Sequence, residues 1–141
     1  MNTLISASGR LSRFMQRELS SELERFSLGL GEFRVVGLLL DEPAGLTQNE
    51  LSERLGVTAP TLSVAVRDLE QRGVVKRRTD PEDARRKRVV LAGRTRIKPV
   101  MRMLEQLEGR ITAGVCKEDL ATTLRVLRQV SDTLEQGEAT Q

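Results

Sequence analysis

Apolar residues recur at threes and fours along most of this chain. Leu4, Leu11, Phe14, Met15, Leu19, Leu23 and Phe26 form one such stripe with charges between them, which predicts a long first helix ending near Gly29 and Gly31. A shorter helix carrying Phe33, Val36, Leu39 and Leu40 follows and stops at Asp41-Glu42-Pro43, because Pro cannot continue it. Thr47-Gln48-Asn49-Glu50 has the spacing of a reciprocal capping box, so a helix through Leu51 and Leu55 is expected to open there and close at Gly56. Only Gly56-Val57-Thr58 separates it from the next helix, with Thr58 as N-cap and Pro60 in the first turn. Leu62, Ala65, Val66 and Leu69 supply that helix's inner side, and Gly73 its stop.

After Gly73 the period becomes extended. Val74–Arg78 and Arg88–Leu91 are β-branched runs around the polar segment Thr79–Lys87, whose Asp80-Pro81-Glu82-Asp83 is turn chemistry, so a two-stranded hairpin with a charged tip is expected. Two more stripes close the chain: Ile97, Val100, Met101, Leu104, Leu107 and Ile111, then Leu120, Leu124, Leu127, Val130 and Leu134. The tail from Gly137 is expected to fray.

Two helices joined by a three-residue Gly turn and followed by a hairpin make a winged helix-turn-helix. The fold class is therefore mainly α with a small β-hairpin wing, plus N- and C-terminal dimerisation helices. One domain is expected over residues 1–141, with 31–94 as the DNA-binding part and 1–29 and 95–136 as the dimerisation helices. The terminal stripes carry more apolar side chains than three small helices and a hairpin can cover, which predicts pairing of two copies. Twofold pairing would space two such helices about 34–36 Å apart, so an inverted-repeat DNA site follows.

Composition removes most chemistry. His, Tyr and Trp are absent and there is a single Cys, so the commonest base is missing, no internal disulfide can form and a zinc site has no ligand set. An enzyme, a metal and a cofactor are not expected. The longest apolar run, Val35–Leu40, is far too short to cross a bilayer, and a cytoplasmic protein without a membrane partner is expected.

Charge distribution is more informative than its net value of +3. Residues 47–98 hold 13 Arg/Lys against 7 Asp/Glu, while the rest of the chain is mildly acidic, the footprint of a surface for a polyanion such as duplex DNA. The outward face of the second helix of the motif presents Thr58, Ala59, Pro60, Thr61, Ser63, Val64, Arg67 and Gln71, side chains short enough to let a helix enter the major groove. At the hairpin, Arg85, Arg86, Lys87 and Arg88 crowd four cations together, a cluster suited to phosphates or a narrow minor groove. Asp83 can pair with a nearby Arg and fix the tip.

Leu46-Thr47-Gln48-Asn49-Glu50-Leu51-Ser52-Glu53-Arg54-Leu55-Gly56-Val57, Leu69-Glu70-Gln71-Arg72-Gly73-Val74-Val75-Lys76-Arg77 and Asp80-Pro81-Glu82-Asp83-Ala84-Arg85 together resemble the MarR family of transcriptional regulators. The Asp-Pro-Glu-Asp-x-Arg wing is the most specific part. The resemblance implies a homodimer with intertwined terminal helices, a recognition helix in the major groove and Arg85 in the minor groove, with Asp83 orienting the wing. It also implies a repressor released by a small, often phenolic, effector.

Three features depart from the family pattern. Val64 stands where members often carry Arg or Lys, which hints at apolar contact with a thymine methyl. Leu91-Ala92-Gly93-Arg94-Thr95 lacks the usual Thr cap of the following helix. The chain also has none of the His or N-terminal Cys of metal- and thiol-sensing relatives. Cys116 reads as a small loop or cap residue, and Met101 and Met103 as core or dimer seam. A winged helix serving as a protein-interaction scaffold without reading DNA remains the alternative from another class.

Overall fold

A computed structural model describes residues 1–139; Thr140 and Gln141 lie outside them, and with them the end of the tail expected to fray. The described residues form α1 (Leu4–Glu24), α2 (Leu30–Asp41), α3 (Gln48–Leu55), α4 (Ala59–Gln71), β1 (Val75–Thr79), β2 (Lys87–Leu91), α5 (Lys98–Ile111) and α6 (Lys117–Glu138). The fold is mainly helical with one two-stranded antiparallel hairpin, as the sequence pattern implied. The described residues divide into two compact units, one over residues 1–101 and one from residue 102 onward.

In the first unit, the local signals set the element ends. Thr47 Oγ1 accepts from the Glu50 amide at 3.2 Å while the Glu50 carboxylate accepts from the Thr47 amide at 2.9 Å. Thr58 caps α4 and Pro60 sits in its first turn. Gly56 and Gly73 end the two helices in the left-handed region, at φ of 64° and 70°. Gly31 behaves differently from expectation: it lies inside the first turn of α2, and Gly29 is that helix's N-cap. Its missing side chain costs little so near a terminus, where tertiary packing decides.

The core of this unit gathers Val35, Val36 and Leu39 of α2, Leu46, Leu51 of α3, Leu62, Val66 and Leu69 of α4, Val75 and Val89 of the hairpin, and Ile97. Ala65, expected inside, is only half-buried. The hairpin register runs from Val75 opposite Leu91 to Thr79 opposite Lys87. A third chain segment adds to it: Leu46 and Val89 exchange backbone hydrogen bonds of 3.1 and 2.8 Å. That bridge anchors a hairpin which alone would be marginal.

At the start of α5, the amides of Ile97 and Lys98 both donate to the Arg94 carbonyl, so a backbone turn stands where a Thr cap was missing. In the second unit, Cys116 is the N-cap of α6, its Sγ accepting from the Asp119 amide at 3.5 Å. The helix continues through Gly137 to Glu138, beyond the fraying point expected from that Gly.

Candidate nucleic-acid interface

With 100° per residue, the buried stripe Leu62, Val66 and Leu69 fixes which way α4 faces. Pro60, Val64, Arg67 and Gln71 fall on the opposite side, and all four are exposed. Thr58, Ala59 and Thr61 are exposed around the helix start, where Thr58 and Thr61 hydroxyls hydrogen-bond each other at 2.9 Å. Ser63 lies on the flank of this face and is half-buried. Arg67 has no ion-pair partner among the described residues.

Both ends of α4 are held. At its C-terminal end the Arg72 guanidinium donates to the carbonyls of Phe26 and Ser27, at 2.7 and 2.8 Å, and to Glu32 at 3.2 Å. Asp68, one turn earlier, lies 3.5 Å from the same guanidinium. Burial raises the Glu32 carboxyl above its ordinary value, and Asp68 adds to the rise against the lowering effect of Arg72. Ser27 is held at φ 52°, a conformation costly for a residue with a Cβ, and its carbonyl is one that Arg72 takes up. Arg77 of β1 reaches Glu70 of α4 at 3.0 Å and also donates to Gln48 of α3, linking wing and helices. The sequence pattern gave Arg72, Glu32 and Arg77 no role as braces. Apart from Asp68, their partners are 7 to 46 positions away, and only the fold brings them together.

The wing tip is organised by two acids of different function. Asp83 Oδ1 accepts from the Arg85 amide at 2.9 Å, and the Arg86 amide donates to the Asp83 carbonyl at 3.0 Å, a tight turn that presents residues 84–86 to solvent. The acid that binds an Arg side chain is Asp80. Its carboxylate accepts from the Glu82 amide at 2.9 Å and from Arg88 Nε at 3.0 Å. The same Arg88 donates to the Gly45 carbonyl at 2.9 Å and lies 3.9 Å from Glu50. Arg88 thus leaves the group of four tip cations and becomes a brace between the wing and α3. Lys87 begins β2 and donates to Thr79 across the hairpin at 2.9 Å. Arg85 and Arg86 remain exposed, without an ion-pair partner among the described residues.

The Glu82 amide and the Arg88 guanidinium hold the Asp80 carboxyl below its ordinary value. A depressed carboxyl stabilises the fold above its unfolded pKa of about 3.9 and loses that contribution as pH falls through the folded value. Asp80→Asn is therefore expected to lower the thermal midpoint at pH 7. The gap from the parent protein should narrow below about pH 4, where the parent's own carboxyl becomes protonated. An equal gap at pH 7 and pH 3 in thermal melts would remove the charge from this explanation.

Among the described residues no group of acids and Cys could hold a metal ion, and no helix is long and apolar enough to cross a membrane.

The sequence model of the MarR family matches residues 26–86, the span from the end of α1 to the wing tip. The fold extends the likeness. MepR of S. aureus, solved in complex with DNA, superposes with a TM-score of 0.72 at 24% identity, over 94% of this chain and 96% of MepR. A second structure of MepR, a transcription regulator of the Staphylococcus aureus multidrug efflux pump MepA, gives 0.69 at 24% identity over 94% and 99%. Wild-type MarR of E. coli without ligand gives 0.75 at 22% identity over 92% and 98%. Sequence and fold agree: residues 26–86 carry the signature of the MarR family, and the chain has the fold of MepR and MarR.

Proposed function

We propose that this protein is a sequence-specific transcriptional regulator that binds duplex DNA as a homodimer and acts as a repressor released by a small aromatic effector. The observation that carries the DNA-binding reading is the solvent-facing side of α4, opposite Leu62, Val66 and Leu69, with hydroxyls at its start and an Arg67 that has no ion-pair partner among the described residues. A helix of that profile can approach base edges without meeting its own acids first. In this reading Thr58, Ala59, Pro60, Thr61, Ser63, Val64 and Arg67 face the major groove. Arg85 enters the minor groove, and Arg86 and Lys87 meet phosphates, with Asp83 setting the tip that carries them. MepR has been solved on DNA, which supports duplex DNA as the partner.

Residues 31–94 form the DNA-binding part, and residues 1–29 and 95–136 pair two copies. On α1, Leu4, Ile5, Leu11, Phe14 and Met15 are exposed, and on α6, Leu124, Val126, Leu127 and Leu134 are too. Apolar stripes of that size call for cover by a second chain. Repression, release by an aromatic effector and a cytoplasmic location rest on the family resemblance.

Selection of bound sequences from random duplexes, paired with analytical ultracentrifugation, tests the reading. Two inverted half-sites about one turn apart and a dimer in solution are expected. A stable monomer, or no duplex binding even at low salt, would overturn it.

A further inference from the structure

Val64 is 65% exposed, and between Met15 and Ile111 every other large apolar side chain is buried or half-buried. It stands about 200° around α4 from Leu62, at the point of the helix furthest from the core. Nothing in the fold needs it there. A β-branched residue also lowers helix propensity relative to Ala, with no packing in return at an exposed site. Its surroundings are short or polar: Pro60 and Thr61 one turn earlier, Arg67 and Asp68 one turn later.

We propose that Val64 is a specificity-determining residue that selects thymine in each half-site through its C5-methyl group. The inference rests on the DNA-binding reading above and goes beyond it by naming a base. A helix seated in the major groove brings its outermost side chain closest to the base edges. Val can neither donate nor accept a hydrogen bond, so it cannot read the polar pattern of guanine, adenine or cytosine. The thymine methyl is the apolar group on that edge, and contact with it removes both surfaces from water. Arg67, on the same side one turn later, stays free to donate to the neighbouring base pair or phosphate.

The test begins with duplexes recovered by selection from random sequence. Each thymine is replaced singly by deoxyuridine, which removes the methyl and leaves the hydrogen-bonding edge intact. One position per half-site is expected at which the parent protein loses about fourfold in affinity per methyl removed. Val64→Ala should bind the uridine and thymine duplexes equally there. Val64→Thr, which keeps one methyl, should retain part of the discrimination. Because residue 64 is exposed and Ala favours helix, circular dichroism and melting should show both variants folded.

The proposal is overturned if the parent binds the selected duplexes but no uridine replacement matters, or if the effect persists unchanged in Val64→Ala. Half-sites selected without a thymine at the centre of the helix footprint would also overturn it. In those cases the DNA-binding reading stands. Absence of duplex binding by the parent is a separate failure, which removes both.

Discussion

Gly45→Ala is expected to lower the stability of the winged helix by about 2–5 kcal/mol, combining a backbone strain of roughly 1–2 with an overpacking cost of about 1–3. Gly45 sits at φ 85°, and a Cβ there would lie 2.5 Å from Val90 Cγ1 and 2.6 Å from the Val89 carbonyl oxygen. A flexible side chain could step aside, but the Val89 carbonyl cannot. It accepts from the Leu46 amide at 3.1 Å, in the bridge that ties the hairpin to the segment before α3. The Gly45 carbonyl also accepts from Arg88, so any shift of this residue loosens the wing brace as well. Denaturant unfolding of parent and variant measures the difference. A change below about 1 kcal/mol would show that the close approach between residue 45 and β2 is not held in solution.

The second large effect concerns the proposed complex with DNA. If the cations of α4 and the wing meet six or more phosphates per dimer, raising salt from 50 to 200 mM should weaken duplex binding about a thousandfold or more. The logarithm of affinity should fall linearly with the logarithm of salt. Arg85→Ala should weaken binding further and reduce the preference for A·T-rich flanks, where a narrow minor groove concentrates negative potential. Arg85 has no ion-pair partner among the described residues, so its removal should leave the melting temperature nearly unchanged. Normal affinity and unchanged flank preference in Arg85→Ala would remove the wing from the interface. A flat salt dependence would remove phosphate contacts as the source of affinity.

The fold separates residues that composition makes look alike. Arg85 and Arg88 are three positions apart in one basic cluster, and composition treats them as equivalent. The hairpin turns Arg88 inward to Asp80 and Gly45 and leaves Arg85 outside. Likewise Asp80 and Asp83 share one turn motif, yet one binds a guanidinium and the other shapes the backbone beside Arg85. For Arg72 and Glu32 the sequence carried no signal of their contact. An isolated Arg at the end of one helix and an isolated Glu in the first turn of another are ordinary surface residues until the 26–27 turn is folded against them.

The chain's periodicity and punctuation determined its elements. Capping at Thr47 and Thr58, left-handed glycines at 56 and 73, and the switch to β-branched residues after Gly73 are short-range effects, decided within a few residues of each position. The same local reading placed the outward face of α4, because one helical period relates it to Leu62, Val66 and Leu69. Tertiary structure alone decided which charges are spent inside and which remain for a partner. Ion pairs and carbonyl contacts between distant segments depend on the path of the backbone, which no local pattern of polar and apolar residues encodes. It also decided that Leu46 would join the hairpin and that Gly45 must lack a side chain, since both follow from Leu46 and Val89 exchanging backbone hydrogen bonds of 2.8 and 3.1 Å.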